Sequence, residues 1–297
     1  MKYIITGASG YVGSNIVKEL VKRGEEVYII LRDTSKLDLL MEVKSAINIY
    51  IYNGDLEQLI SYFNSIKANI VIHTASLFIS QHKSDDIDNL IDSNIKFGTE
   101  ILEAMKLSGI KKFINTSTSW QHFNNEKYNP VCLYAATKEA FENIIKYYYE
   151  AFEIDCISLE IYDTFGKGDK RPKLLNQLIK FRKNGNILDM SPGMQSIDLV
   201  YIDDIVRGYI KASEILLKNA NINVKYALSS ENRVSLRDLV KLYEKVSGEK
   251  LVVNFGGREY REREVMEPYN KQEKLPGWRA EISLEDGLKK MLGQEAL

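Results

Sequence analysis

Two periods of apolar spacing alternate along the first half of the chain. Short apolar runs bounded by polar or turn residues recur at Tyr3-Ile4-Ile5, Glu26 to Leu31, Ile47 to Tyr52, Asn69 to His73, Lys112 to Thr116 and Cys156 to Ile161. Each reads as a strand. Between them, Ser14 to Lys22, Leu56 to Ser65, Asp88 to Leu107 and Leu133 to Ala151 carry apolar residues at helical spacing. Strands separated by helices imply an α/β chain whose parallel sheet is covered on both faces. After Gly166 the alternation weakens. The remainder reads as helical, with short apolar stretches at Tyr226 to Leu228 and Leu251 to Asn254, then an Arg-rich run, Gly257 to Arg263, and Pro276-Gly277-Trp278.

The first strand runs into Thr6-Gly7-Ala8-Ser9-Gly10-Tyr11-Val12-Gly13, and a helix follows. Gly7 permits a tight bend, Gly10 lets the backbone approach a pyrophosphate, and Gly13 lets helix and strand pack closely. The amides at the helix start, around Tyr11 and Val12, then face phosphate. The predicted architecture is a doubly wound parallel Rossmann sheet with a smaller α/β C-terminal substrate-binding region. Residues 1–165 form the dinucleotide-binding part, completed by about 195–230, and 166–194 with 231–297 form the substrate-binding part.

Composition narrows the class further. A chain of 297 residues with 44% apolar content can build a large core. The net charge of −1, with basic residues scattered, offers no general attraction to nucleic acid or an anionic membrane. No apolar run approaches the ~20 residues of a membrane span, and Met1 leads directly into the first strand, so a cytoplasmic protein is expected. Cys132 and Cys156 lack metal-ligand spacing and read as reduced thiols; no metal is expected.

Two further local features point to chemistry. Strand two ends in Leu31-Arg32, where an NAD-selecting fold has an acid for the ribose hydroxyls. Arg32 suits a 2′-phosphate, with Ser9 and Lys36 in reach, so NADP(H) is preferred over NAD(H). The alternative is that Arg32 is solvated and Asp33 meets the ribose. Tyr134 is the only one of the 18 tyrosines followed by lysine at the fourth position, Lys138. On a helix the two share a face, and an ammonium there favours phenolate, which predicts a lowered phenol pKa and an acid or base usable near neutrality. Among the hydroxyls ending strand five, Thr118 is the candidate to bind the substrate oxygen, whereas Thr116 and Ser119 read as turn caps.

Together Gly7, Gly10 and Gly13, Asp55-Leu56, His73-Thr74-Ala75-Ser76, Asn94 with Gly98-Thr99, Thr118, and Tyr134 with Lys138 resemble the extended short-chain dehydrogenase/reductase family, in which the NAD-dependent epimerases and dehydratases fall. The resemblance implies that Asp55 and Leu56 lie at the adenine, that Thr74, Ala75, Ser76 and Asn94 line the cofactor, that Tyr134 carries the proton, and that Lys138 holds the ribose. Dehydratases of the family follow the strand-five threonine with two acids; here Ser119 and Trp120 follow, so elimination lacks its acid and base. Gln195 to Asp204 resembles the family's diphosphate-binding segment, but Ile197 replaces its arginine. Glu160 to Asp169 and Phe255 to Met266 are similar to nucleotide-linked 4-keto-6-deoxyhexose reductases of the CDP-abequose synthase type. The resemblance therefore implies an NADPH-dependent 4-ketoreductase of a nucleotide-diphosphate sugar, with Ser119, Tyr162, Arg171, Gln195 and Arg261 at the substrate. It also implies a homodimer through helices 88–107 and 133–151. The rival expectations are a 4-epimerase with bound NAD and a non-catalytic NADP-binding sensor or scaffold.

Overall fold

The structure is a computed structural model and describes residues 1–184 and 187–293; Gly185, Asn186 and Gln294 to Leu297, which fall within the expected substrate-binding segments, lie outside the described residues. The first strands and helices follow the apolar pattern: β1 (Lys2–Thr6), α1 (Tyr11–Lys22), β2 (Glu26–Leu31), β3 (Ile47–Ile51), α2 (Leu56–Ile66) and β4 (Ile70–His73). The expected single helix over 88–107 is instead α3 (Ile87–Ile91), a π turn over Asp92–Lys96, and α4 (Phe97–Ser108). Next come β5 (Lys112–Thr118), α5 (Leu133–Phe152) and β6 (Asp155–Ile161).

The C-terminal half holds more strand than its pattern predicts. It comprises β7 (Asp163–Phe165), α6 (Leu174–Asn184), β8 (Leu188–Met190), β9 (Ser196–Tyr201), α7 (Ile202–Lys218), β10 (Asn223–Leu228), β11 (Arg233–Ser235), α8 (Leu236–Ser247), β12 (Val253–Phe255) and α9 (Leu284–Leu292). Short strands such as β7, β8 and β11 are too brief to show a period, and their pairing partners are distant in sequence.

The main sheet has seven parallel strands in the order β10-β6-β5-β4-β1-β2-β3. Its order reverses between β1 and β4, so the loops after these strands diverge above the sheet and leave a crevice there. Two small sheets, β11-β9-β7 and β12-β8, stand beyond it. On one face α1 and α7 bury Ile16, Val17, Leu20 and Tyr209 in a core that continues into Leu239 and Tyr243 of α8 and Leu288 of α9. On the other, α2, α4 and α5 bury Phe63, Met105 and Phe141 against Val71 and Phe113. The C-terminal segments thus share one core with the sheet.

Candidate active site

The glycine turn has no room for side chains. Gly7 has φ +71°, and a Cβ there would lie 2.4 Å from the amide nitrogen of Ala75 in the β4 loop. A Cβ on Gly13 would lie 2.3 Å from the Gly7 carbonyl oxygen and 2.7 Å from Thr74 Oγ1. Thr74 Oγ1 in turn donates to the Thr6 carbonyl at 2.8 Å, tying the two switch-point loops together. Gly10 caps α1 with no side-chain bond, and the first turn holds no acid. The N-terminus of α1 therefore presents amides and a positive dipole end, the donor set that a pyrophosphate requires. Tyr11 contributes through that backbone, because its hydroxyl donates to the Lys167 carbonyl at 3.1 Å. Ser9 is half-buried in the turn and Val12 half-buried on α1.

At the tips of β2 and β3 the polar groups differ in how far they are engaged. Arg32 is exposed, and Asp33 accepts the Thr34 amide at 2.8 Å. Asp55 caps α2, accepting from Gln58 N at 3.1 Å and Gln58 Nε2 at 2.7 Å, while Leu56 opens that helix. Asn94, set by the π turn, is nearly inaccessible. Its Oδ1 accepts from Ser76 Oγ and the Leu77 amide, and its Nδ2 donates to the Leu77 carbonyl and Thr137 Oγ1. Its bonding capacity is thus spent on holding the Ser76–Leu77 loop against α5, so Asn94 supports that loop from behind.

Tyr134 lies in the first turn of α5, and its phenol hydrogen-bonds with Ser76 and Thr118, which brings three expected site residues to one point. Thr118 Oγ1 also accepts the Trp120 amide at 3.3 Å, so Thr118 rather than Ser119 caps this turn. Ser119 is half-buried beside it. Thr116 is no turn cap either: it donates to the His73 carbonyl at 2.8 Å and pairs with Tyr209 Oη at 2.6 Å.

Burial reverses the electrostatics expected from helical spacing. The phenol of Tyr134 is pushed up to about 12 by burial, against the smaller lowering effect of Ser76 and Thr118. Lys138, 1% exposed, is driven down to about 8 by burial, and its Nζ has no hydrogen-bond partner. An orphaned, buried ammonium beside the switch-point crevice is the feature that the ribose hydroxyls of a dinucleotide would satisfy. His73, behind it, is driven down to about 3 by burial and Lys138, and is therefore neutral.

On the solvent side, Phe78 packs edge-on against both Tyr134, at 5.0 Å between centroids, and Trp120, at 5.3 Å. Arg261 stands 5.2 Å from the Trp120 ring and pairs with Glu264 at 3.0 Å. The other expected substrate contacts are engaged within the protein. Arg171 grips Asp169 at 2.7 Å and donates to the Thr164 carbonyl, its guanidinium above the Tyr11 ring. Tyr162 donates to the Tyr269 carbonyl at 2.8 Å and borders Glu160, which pairs with His122. Gln195 is buried, with Nε2 on Ser191 Oγ at 2.8 Å.

Sequence reasoning missed Phe78, whose role depends on where its loop folds. It also missed Glu142, which the four-residue step from Lys138 could have indicated.

Known proteins resemble this chain along most of its length. The family model for the NAD dependent epimerase/dehydratase family matches residues 3–224. CDP-abequose synthase of Salmonella muenchen is 26% identical over 297 residues, covering 99% of this chain and 98% of that protein. UDP-glucuronate 4-epimerase of Thermodesulfobacterium geofontis is 27% identical, covering 97% and 94%. Among solved structures, UDP-glucuronic acid 4-epimerase from Bacillus cereus, in complex with UDP-glucuronic acid and NAD, matches with a TM-score of 0.87 at 24% identity, covering 99% of this chain and 98% of that one. Among the described residues, no helix is long and apolar enough to cross a membrane, and no group of His, Cys, Asp or Glu could hold a metal ion.

Proposed function

We propose that this chain, which belongs to the NAD dependent epimerase/dehydratase family, is an NADPH-dependent reductase of the 4-keto group of a nucleotide-diphosphate 4-keto-6-deoxyhexose, serving deoxysugar and surface-polysaccharide synthesis. The observation that supports this reading is the meeting of buried Tyr134 with Thr118 and Ser76, one helical turn from the unpartnered, buried Lys138 Nζ. When bound, the nicotinamide supplies hydride to the keto carbon. Tyr134 donates its proton to the carbonyl oxygen as negative charge develops there, and Thr118 orients that oxygen. Lys138 binds the ribose hydroxyls and stabilises the phenolate left behind.

Other features support the substrate class. Trp120 and Phe78 form an aromatic wall beside Tyr134, suited to a C6 methyl and poorly suited to a hydroxyl or carboxylate. Arg261, 5.2 Å from the Trp120 ring, is our candidate for the cation that meets the diphosphate once Glu264 yields it. NADPH follows from the absence of an acid at Leu31-Arg32. We further read the protein as a cytoplasmic homodimer through helices 88–107 and 133–151, a region that exposes Ile87, Ile91, Leu107 and Tyr147. The second reading, a 4-epimerase with bound NAD, is favoured by Asp33 next to Arg32 and by the likeness to UDP-glucuronate 4-epimerase.

The test is incubation with NADPH or NADH and 4-keto-6-deoxyglucose linked to CDP, dTDP, GDP or UDP, following cofactor absorbance and identifying product by NMR. Ketone-dependent NADPH oxidation to a 4-hydroxy sugar is expected. Substitution of Tyr134 by Phe should lower kcat by roughly 10²-fold or more with NADPH affinity nearly unchanged. Interconversion of 4-epimers without net cofactor consumption would overturn the reductase reading.

A further inference from the structure

Lys138 is a charge set where burial opposes charge. Its surroundings come from several elements. Neutral His73 of β4 lies close to it, and on α5 Tyr134 and Glu142 stand one helical turn before and after it, while Ser117 of β5, Cys156 of β6, Lys225 of β10 and Glu139 gather around Glu142, with Glu160 of β6 near Lys225. Of these charges, Glu142 is the one that acts to keep Lys138 protonated. It follows Lys138 by four residues, so both share one stripe of α5.

Glu142 is itself held on two sides. Lys225 Nζ pairs with one carboxylate oxygen, and the Ser117 hydroxyl lies against the other. Lys225 also lies 3.7 Å from Glu139, which receives a hydrogen bond from Gln121. The Glu142 carboxyl is raised by burial, with Lys225 and Ser117 working in the opposite direction to keep it ionised. A carboxylate could have lain exposed on this helix; here the fold encloses it and supplies a cation from β10.

We propose that Glu142, fixed by Lys225 and Ser117, is the counter-ion that keeps Lys138 charged for the cofactor ribose. The inference rests on the reading of Lys138 as the ribose-binding cation. Glu142 does not touch cofactor or substrate and is a positioning residue acting through Lys138. The charged form of Lys138 is present at low pH and lost as pH rises, so cofactor affinity falls on the alkaline side. Removing the negative charge of Glu142 favours the neutral amine and moves that fall to lower pH.

The experiment measures dissociation constants for NADPH and NADH from pH 6 to 10 by cofactor fluorescence, which needs no turnover. Wild type should lose affinity as pH rises through about 8. Glu142→Gln keeps shape but not charge, and should move the loss acidward by about one pH unit, an affinity deficit of about fivefold near pH 8 that approaches tenfold above about pH 9 and vanishes at pH 6. Glu142→Asp, which draws the carboxylate back by one methylene, should give a smaller shift in the same direction; it serves alone if the Gln variant does not fold. Glu139→Gln should leave the limb in place. Lys138→Met should abolish the limb, and adding Glu142→Gln to it should change nothing further. An unmoved limb in Glu142→Gln, or an equal affinity loss at every pH, overturns the inference. Failure of wild type to bind either cofactor would overturn the ribose reading instead.

Discussion

At the tip of β2 the Arg32 side chain stands exposed and, among the described residues, without an ion pair, one position before Asp33. A guanidinium so placed is available to a 2′-phosphate that only one of the two nicotinamide cofactors carries. Arg32→Ala should therefore weaken NADPH binding by about tenfold or more and leave NADH within about twofold, measured by fluorescence titration. Equal losses for both, or a wild type preferring NADH, would transfer the ribose contact to Asp33. Tyr134 and Lys138 were legible because their spacing is local, yet their protonation was not. Spacing alone suggests an ammonium lowering a phenol, whereas the fold buries both groups so deeply that desolvation raises the phenol and lowers the amine. Arg171 shows the same limit: its charge was readable, but its capture by Asp169 was not.

At the element scale, the strand, glycine turn and first helix form the unit that the sequence specifies most fully. Its glycines act by omission, since the space of a Gly13 Cβ is already filled by the Gly7 carbonyl and Thr74. Gly13→Ala should displace α1 from β1, costing about 1–3 kcal/mol of stability in denaturant unfolding. NADPH affinity should fall with it, because the amides of the turn lose their aim. A variant with unchanged affinity would remove this turn from the pyrophosphate site. By contrast, the break in the helix expected over 88–107 carries no proline or glycine at the π turn and was not legible. Its cause is tertiary: Asn94 is drawn inward to four hydrogen bonds with the Ser76–Leu77 loop and α5.

For the whole molecule, the join between the sheet and the C-terminal segments depends on buried Asp204 at the start of α7. It accepts the amides of Glu281 and Ile282 and pairs with Arg207, while Trp278 Nε1 donates to its carbonyl at 2.9 Å. Asp204→Ala keeps the carbonyl that Trp278 uses but should leave the Glu281 and Ile282 amides without their carboxylate acceptor and cost about 2–4 kcal/mol, seen as a fall of several degrees in Tm. A Tm within one degree of wild type would show that the C-terminal segment is anchored by its apolar contacts alone. The sequence by itself determined the parallel sheet, the glycine turn and the Tyr134–Lys138 pair, because periodicity and spacing are carried by residues a few positions apart and each follows from strand or helix geometry. Only the tertiary structure decided which charges meet and which are buried: it sets Lys225 of β10 on Glu142 of α5, Phe78 against Tyr134, and Arg261 beside Trp120. Such encounters join residues distant along the chain, and the protonation of each depends on the solvent that the folded neighbours exclude.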